Sequence, residues 1–409
     1  MSPRKLHSVT ASIIAVLFIS SGSLGATPLS IGSPAPAFTV MNQHYETQGL
    51  TDYGEHKAWV LIFLSNTCPL AQRYTSRIKA FEEEYKTQGV QFIGINASPA
   101  DTIVDVAWYQ QEHGLSFPML SDIDGSACRD LGVTRTPEAL ILDKDKVLRY
   151  RGRIDDQYRL GGVKPFIGRK ELVEALEDVL AGKEVRVPTT KTEGCSITYP
   201  ALPTTDELPT YHKDIAPIIN EHCLDCHQNK TDNKPGLSSY DDLFPIRDKI
   251  ATAVLSGKMP PWPLHSEFGV FRHQKPIPYQ ARNTVLQWIE GGAIVGEASQ
   301  APMATDPVPD TDFPKHSVVP FDGAANGWAI KVPCVLLGFT MLDPLESIQC
   351  ILIRANGEEE ILLAIPMPSP FTPKTLEFKT PYNLKPGDRI TLQYDTGKKN
   401  IKVHACFAE

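Results

Sequence analysis

The hydrophobic pattern of residues 27–195 alternates between strands and helices. Trp59–Leu64 is an uninterrupted apolar run, which is typical of a central strand buried on both faces of a sheet. From about Leu70 to Lys86 the apolar positions recur at near-helical spacing, and Val90–Ile95 is a second strand. Two further apolar runs bracket Asp143–Asp145, as in a β-hairpin. The alternation predicts an α/β layer fold for this first block.

The pattern changes twice in the rest of the chain. After a proline-rich linker at 196–209, residues 210–298 carry apolar positions at helical spacing. A second linker at 299–311 leads to residues 312–409, where apolar and polar positions alternate as they do in strands. With 409 residues the chain is too long for one ordinary core. We therefore expect three domains: α/β, then all-α, then all-β.

Residues 1–26 have the parts of a secretory signal peptide. Arg4 and Lys5 precede the apolar run 13–19, and small residues follow up to Ala26. The apolar run is too short for an ordinary membrane span. The formal net charge of −8 becomes −10 without this leader, and a surface of that sign argues against nucleic-acid binding. We expect a periplasmic or secreted protein with no stable membrane span.

The run Cys223-Leu-Asp-Cys226-His227 is the most specific motif in the chain. Two cysteines three positions apart, followed directly by histidine, form the attachment motif of a c-type haem. Both thiols must reach the vinyl groups of one porphyrin while the adjacent imidazole binds the iron as its proximal ligand. The export signal agrees with this prediction, because haem is attached outside the cytoplasm. A zinc half-site or a single disulfide is the alternative.

A second axial ligand must come from further along the chain, and Met259, flanked by prolines, is the preferred candidate. Core packing of Met259 is the alternative interpretation. The rival ligands are His222, His265 and His273. With a helix before the motif, a methionine–proline loop and an aromatic-bearing final helix, this block resembles class I cytochrome c domains. The resemblance implies an all-α cytochrome c fold with one covalent haem c.

In the first block, the turn Ser65-Asn-Thr-Cys68-Pro69 follows the buried strand and opens a helix. Unpaired amides and the helix dipole at that position favour a thiolate. Downstream, Pro137 precedes another strand, where a cis proline could hold a backbone edge beside the sulfur. Residues 30–185 resemble the thioredoxin-like superfamily, in particular its AhpC/TSA-type redoxin branch, which includes peroxiredoxins. The resemblance implies that Cys68 is the reactive thiol and Pro137 the cis proline.

The chain also departs from these families. Alanine stands three residues after Cys68, so the local dithiol of a thioredoxin is missing. The peroxiredoxin motif is incomplete as well, because Thr67 directly precedes the cysteine instead of lying further upstream. Thr67 and Arg135 are nevertheless candidate catalytic residues, since Arg135 could stabilise a thiolate or a bound peroxide. Cys195 and Cys128 are the candidate resolving cysteines, and Cys195 is preferred.

Residues 312–409 resemble, more faintly, the C-terminal β-sandwich of copper type II monooxygenase-like proteins. The resemblance lies in Gly357–Pro366 and Leu384–Ile390. Copper requires convergent imidazole or thioether ligands, and this block lacks a His-x-His pair. We expect a scaffold or docking domain without copper. Its candidate donors and its cysteines are His316, His404, Met341, Met367, Cys334, Cys350 and Cys406.

Together these features predict an exported oxidoreductase with two redox centres. The thiol would carry out two-electron chemistry, either peroxide reduction or disulfide exchange with small redox proteins, and the haem would pass single electrons. One alternative is an electron-transfer cytochrome whose redoxin domain is inert. Another is an interaction protein whose outer domains bind a partner. The sequence leaves the oligomeric state open.

Overall fold

The computed structural model describes residues 29–159, 161–198, 208–231, 234–261, 264–265, 267–269, 271, 276–298, 316–321, 328–341, 347–366, 375–394 and 403–408. The predicted signal peptide, most of the first predicted linker and all of the second lie outside these ranges. Among the described residues, no helix combines the length and the apolar character needed to cross a membrane.

The described residues of the N-terminal part form one seven-stranded sheet and two small two-stranded sheets, β9 with β10 and β6 with β11. The strands of this part are β1 (Val40–Met41), β2 (Thr47–Gln48), β3 (Ala58–Leu64), β4 (Val90–Asn96), β5 (Met119–Ser121), β6 (Arg135–Thr136), β7 (Glu138–Asp143), β8 (Leu148–Gly152), β9 (Tyr158–Arg159), β10 (Gly162–Val163) and β11 (Cys195–Ser196). Its helices are α1 (Pro69–Tyr85), α2 (Ile103–His113), α3 (Ser126–Leu131) and α4 (Glu171–Leu180). The strand order of the large sheet is β2-β1-β5-β4-β3-β7-β8. Strands β5, β4 and β3 run parallel, whereas β7 and β8 are antiparallel to their neighbours.

Strand β3 explains why this part folds as three layers. Its side chains alternate between two cores: Val60 and Ile62 pack on the face covered by α1 and α4, and Leu61 and Phe63 pack on the face covered by α3. All four side chains are fully buried. A strand that is apolar at every position is stable only when helices cover both faces of its sheet. The predicted α/β fold of the first block is thereby confirmed.

The described residues of the middle part are mainly helical. A π-helical turn at Tyr211–Ile215 leads into the first of five helices. These helices are α5 (Ala216–His222), α6 (Leu224–His227), α7 (Tyr240–Leu243), α8 (Arg247–Leu255) and α9 (Tyr279–Glu290). A small separate core forms around the fully buried Trp288, whose indole nitrogen donates to Ile294 O at 2.9 Å. The helical periodicity seen in residues 210–298 therefore corresponds to real helices.

The C-terminal part contains two four-stranded antiparallel sheets, with strand orders β12-β19-β14-β17 and β13-β18-β15-β16. The strands are β12 (His316–Phe321), β13 (Trp328–Ala329), β14 (Cys334–Met341), β15 (Ile348–Ile353), β16 (Glu359–Ile365), β17 (Thr375–Leu384), β18 (Arg389–Tyr394) and β19 (Val403–Ala408). Both sheets contribute to one core, in which Phe339, Leu352 and Phe378 are fully buried. The alternation of apolar and polar positions in residues 312–409 thus corresponds to the expected sheet-rich region.

Candidate functional site

Cys68 is the N-cap residue of α1, directly after the central strand β3. The turn is tight because the Cys68 amide donates to Ser65 O at 3.2 Å, and Pro69 begins the helix without needing a hydrogen-bond acceptor. The Cys68 side chain is 1% exposed. The sequence therefore places a thiol at a helix N-terminus, as predicted, and the fold closes it off from solvent.

Two segments from elsewhere in the chain contact this sulfur. The Cys68 thiol donates to Thr136 O at 3.2 Å, and the Thr136–Pro137 peptide bond is cis. Strand β11 pairs with β6 in an antiparallel register that sets Cys195 opposite Thr136. Cys195 also packs against the apolar cluster that contains Cys68. The structure thus brings Cys68, Pro137 and Cys195 together.

The two thiols have different tendencies to ionise. Burial opposes ionisation of Cys68, but hydrogen bonds from the Cys195 thiol and from the Ala71 amide outweigh it and lower the pKa of Cys68. The same hydrogen bond to Cys68, together with burial, raises the pKa of Cys195 to about 11. Of the two thiols, Cys68 therefore ionises more readily, and Cys195 keeps its proton to higher pH.

The other predicted thiol-site residues are placed differently. Thr67 is exposed, and its hydroxyl is 3.1 Å from the Ser65 hydroxyl. Arg135 donates to Gly194 O at 2.8 Å, so it holds the segment that carries Cys195. Cys128 belongs to the core on the opposite face of the sheet from Cys68, so the sheet itself separates these two sulfurs. Of the two candidate resolving cysteines, Cys195 is therefore the one that the structure places on the same face of the sheet as Cys68.

A polar network that the sequence analysis missed supports the Cys68 turn. The Asn66 amide donates to Asp101 Oδ2 at 3.0 Å, and the Asn66 side chain donates to Asp105 O at 2.9 Å. The Asn96 side-chain amide donates to Asn66 Oδ1 at 3.0 Å and to Asp101 Oδ2 at 2.8 Å. Burial raises the pKa of Asp101. The sequence signal that could have revealed this network is the position of its residues along the chain. They lie at or just after the ends of the parallel strands β3 and β4, whose carboxyl ends meet at one edge of the sheet.

In the middle part, Cys223, Cys226 and His227 lie at the start and end of the short helix α6. His227 Nδ1 is 2.8 Å from Pro235 O, which orients the imidazole and leaves Nε2 as the nitrogen able to bind a metal. Burial raises the pKa of Cys223 to about 11, whereas Cys226 is exposed. His222, at the end of α5, has a buried Nδ1 without a hydrogen-bond partner among the described residues.

Met259 lies where the middle part meets the N-terminal part. Its amide donates to Ala253 O at 3.0 Å, and its bond to Pro260 is cis. Together with Met41 and Tyr45 it lines a cavity of about 480 Å³. The structure gives no contact between Met259 and His227, so ligation of one iron by both remains a prediction.

The rival haem ligands have other surroundings. His265 is buried, its Nε2 is 3.5 Å from Asp105 Oδ1, and its ring lies against Trp108 with 5.4 Å between centroids. It therefore belongs to the contact with α2 of the N-terminal part. His273 lies outside the described residues, as do Met367 and the side chains of His316, His404, Met341 and Cys406. Within the described part, no three His, Cys, Asp or Glu side chains converge as a metal site.

Known proteins resemble the N-terminal part of the chain. Residues 31–151 match the model of the AhpC/TSA family. Thiol-disulfide oxidoreductase ResA of Bacillus cereus is 26% identical over 142 residues, which are 32% of this chain and 80% of the relative. Thiol:disulfide interchange protein DsbE of Pseudomonas aeruginosa is 27% identical over 157 residues, which are 38% of this chain and 81% of the relative.

A protein of Haemophilus influenzae named as a peroxiredoxin, bcp, is 29% identical over 106 residues, which are 26% of this chain and 66% of the relative. Among solved structures, a hypothetical protein of Sinorhizobium meliloti has a TM-score of 0.40 and 27% identity, covering 43% of this chain and 97% of its own.

The family match and the three-layer sheet indicate a thioredoxin-like α/β fold for the N-terminal part. Residues 31–151, which include Cys68, are similar to the AhpC/TSA family. The N-terminal part is similar to ResA and DsbE as well as to a peroxiredoxin. Cys195 lies beyond residues 31–151, and each of these matches covers less than half of the chain.

Proposed function

We propose that this chain is an exported redox protein with a thiol centre and a haem centre. At the thiol centre, Cys68 and Cys195 exchange disulfides with a small redox protein. At the second centre, haem c bound to Cys223, Cys226 and His227 carries single electrons. The observation that carries the thiol proposal is the position of Cys195, which lies opposite Thr136 in the β6–β11 pairing while the Thr136 carbonyl accepts the hydrogen bond of the Cys68 thiol.

The thiol reaction proceeds in two balanced steps. The Cys68 thiolate attacks one sulfur of a partner disulfide, which forms a mixed disulfide and releases the other partner sulfur as a thiolate. Cys195 then loses its proton and attacks the Cys68 sulfur, which releases the second partner thiolate. The partner disulfide is reduced, and Cys68 and Cys195 become an intramolecular disulfide. The chain thereby replaces the missing local dithiol with a cysteine 127 positions away in sequence.

Disulfide exchange is favoured over peroxide reduction by where the polar side chains lie. A peroxidatic site needs donors that stabilise the leaving oxygen. Thr67 instead contacts Ser65, and Arg135 contacts the Gly194 carbonyl. Peroxide reduction is the second candidate because a named peroxiredoxin is among the relatives. In that reaction Cys68 would become a sulfenic acid and condense with Cys195 to release water.

Trapping the intermediates tests the thiol proposal. The reduced protein is mixed with oxidised glutathione or hydrogen peroxide, and its disulfides are mapped by mass spectrometry without reduction. We expect a Cys68–Cys195 disulfide in the wild type and in the matched control Cys128→Ser, faster with the disulfide than with the peroxide. Cys195→Ser should stop at a mixed disulfide on Cys68. Exchange that persists in Cys68→Ser would rule the proposal out.

The residues around Cys223 fit a covalent haem. The His227 ring is fixed through Nδ1 by Pro235 O at 2.8 Å, the arrangement in which metal-binding histidines are usually held. The buried Nδ1 of His222 is a polar atom next to the attachment motif for which the described protein supplies no partner. When bound, the haem would exchange single electrons. We propose Met259 as the second axial ligand.

Spectroscopy of protein matured in the periplasm tests the haem proposal. The pyridine haemochrome assay should report one covalent haem in the wild type and none after Cys223→Ala with Cys226→Ala. Met259→Leu should retain the covalent haem but lose the red absorption band of methionine-ligated ferric haem and lower its reduction potential. His222→Gln removes a rival ligand and, if Met259 binds the iron, should keep both the red band and the reduction potential. A colourless wild type would refute the assignment.

Helix α2 contacts both the turn that carries Cys68 and the segment that follows Met259. Its residue Asp105 faces His265, close in sequence to Met259, and its carbonyl holds Asn66, two residues before Cys68. Electron transfer between haem and thiol is therefore worth measuring in the intact chain. In stopped-flow experiments, one disulfide substrate should oxidise two reduced haems, and this oxidation should slow in Cys68→Ser. Unchanged haem oxidation in that variant would support the alternative of an electron-transfer cytochrome with an inert redoxin domain.

A further inference from the structure

The reactive thiol is covered by the chain's own C-terminal extension of the redoxin domain. Cys68 is 1% exposed although it caps the N-terminus of α1, where a reactive thiol needs access. The cover is the segment 194–197, which we call the strap. It lies along the edge of β6 as an added antiparallel strand and sets Cys195 against the Cys68 sulfur.

The strap is held by a short strand pairing, by two further hydrogen bonds and by the partly buried side chains of Cys195 and Ile197, which pack against the cores on the two faces of the sheet. The β6–β11 pairing extends over two residues on each side. Beyond it, the Ile197 amide donates to Thr134 O at 2.9 Å, and Arg135 donates to Gly194 O at 2.8 Å. Upstream the chain is better anchored, because the Thr190 amide donates to Arg151 O at 3.1 Å and its hydroxyl contacts Tyr150 at 2.8 Å. The strap can therefore detach while residues up to Thr190 stay in place.

Gly194 makes the close approach of the strap possible. Its φ angle is +151°, which residues with a side chain rarely adopt. A Cβ atom at this position would lie 2.0 Å from Thr136 O and 3.3 Å from Pro137 Cδ. Any larger residue would push the strap away from the edge beside the cis proline. Gly194 therefore allows the strap to pack over Cys68.

We propose that the strap occupies the place of an extended, cysteine-bearing segment of a partner protein and must leave β6 before exchange begins. The partner segment would add to β6 by main-chain hydrogen bonds, as extended peptides do at exposed sheet edges. Its disulfide sulfur would then meet Cys68 where Cys195 now lies. The strap would return to resolve the mixed disulfide. The inference rests on the proposed thiol exchange and adds a competition between strap and partner.

The rate at which iodoacetamide labels Cys68 measures how well the strap covers this thiol. All variants carry Cys195→Ala, so that the hydrogen bond to Cys68 is absent from each. We expect Gly194→Val to accelerate iodoacetamide labelling of Cys68 at least about tenfold, which corresponds to about 1.4 kcal/mol of docking free energy. Gly161→Val is the matched control, since Gly161 also has a positive φ but no atom within 4 Å of its Cβ position. An unchanged labelling rate in Gly194→Val would overturn the proposal.

Cys128 serves as the internal control for folding, because it is buried in the same domain, and its labelling must stay slow. If Gly194→Val also accelerates the labelling of Cys128, the variant Arg135→Met is used in place of Gly194→Val. Arg135→Met removes the side-chain contact to Gly194 O and leaves the sequence of the strap unchanged. Faster labelling of Cys68 alone in Arg135→Met supports the strap, and an unchanged rate refutes it.

A peptide tests the competition. The probe has the sequence of residues 192–198, with its cysteine as a mixed disulfide with thionitrobenzoate. Cys68 attacks the peptide sulfur, and the coloured thionitrobenzoate leaves. In the undocked variant we expect this peptide to react faster than one with valine before the cysteine, and equal rates would refute recognition at β6. A wild type that never forms the Cys68–Cys195 disulfide would refute the proposed function while leaving this result intact.

Discussion

Arg151→Met is expected to destabilise the redoxin domain strongly and to loosen the edge beside Cys68. Arg151 lies on β8 and donates to Glu138 Oε1 from Nη2 at 2.8 Å and from Nε at 3.2 Å. It also donates to Gly132 O at 2.8 Å and to Leu29 O at 3.1 Å. Glu138 directly follows the cis proline. The Arg151 guanidinium therefore connects the start of β7 to the loops that carry Leu29 and Gly132.

The magnitude follows from how deeply the pair is buried. The side chains of Arg151 and Glu138 are 14% and 6% exposed. Removing one partner of a buried ion pair costs about 3–5 kcal/mol, because the remaining charge is left without compensation. Arg149→Met, on the same strand, is the matched control. Arg149 pairs with Asp143 at 2.6 Å but is 45% exposed, so its loss should cost less than about 1 kcal/mol.

The loss should also depend on pH with a definite sign. Burial raises the pKa of Glu138 above its ordinary 4.5, even though Arg151 opposes the shift. Without Arg151 the pKa rises further. Because its pKa is raised, the Glu138 carboxyl binds more protons in the folded state than in the unfolded state. Its contribution to the free energy of unfolding is therefore greatest below pH 4.5 and falls as pH rises towards its folded-state pKa. The penalty of Arg151→Met should therefore be larger at pH 8 than at pH 5.

The measurement is urea-dependent labelling of Cys128, which is buried in the redoxin domain and reports its unfolding. Free energies of unfolding are compared for the wild type, Arg149→Met and Arg151→Met at pH 5 and pH 8. Equal losses in the two variants, or a loss in Arg151→Met that is the same at both pH values, would refute the reasoning. Labelling of Cys68 in the absence of urea should also accelerate in Arg151→Met.

Three further predictions concern other parts of the molecule. Thr102→Ala removes the N-cap hydroxyl of α2 and should lower the free energy of unfolding by about 1 kcal/mol in urea; no change would show that the cap contributes nothing. The Lys164 ammonium and nearby amides hold the pKa of Asp156 well below its ordinary 3.8, so the loss caused by Asp156→Asn should be constant at neutral pH and shrink in thermal melts as pH falls below 3.8. Leu352→Ala, at a fully buried position, should cost about 2–5 kcal/mol, whereas Val332→Ala, at 66% exposure, should stay within about 0.5 kcal/mol in urea denaturation; similar losses would contradict the assigned core.

The elements that could be predicted are those with an unambiguous local pattern. The run at Trp59–Leu64 became the doubly buried strand β3, and the helix expected from Leu70 to Lys86 is α1. By contrast, α2 and α3 were not predicted. In α2, Trp108 is buried against the middle part of the chain and not against the sheet, so apolar positions point in several directions and the simple helical stripe is lost.

The thiol site was only partly predictable. The position of Cys68 after a buried strand and before a proline is a local feature, and so is the proline at 137. The partner of Cys68 is not local, because β11 pairs with a strand 59 positions earlier in the chain. The predicted linker beginning at 196 therefore includes Ser196 and Ile197, which pair with the redoxin domain.

The sequence by itself determined the strand β3, the helix that follows it, the cysteine at their junction and the Cys-x-x-Cys-His motif. Each depends on residues within a few positions of one another, so period and spacing suffice to identify it. Only the tertiary structure decided that Cys195 lies against Cys68, that Cys128 lies across the sheet, and that Arg135 holds the strap. Those outcomes depend on which distant segments pair, and pairing is selected by the packing of the whole domain and carries no local periodic signal.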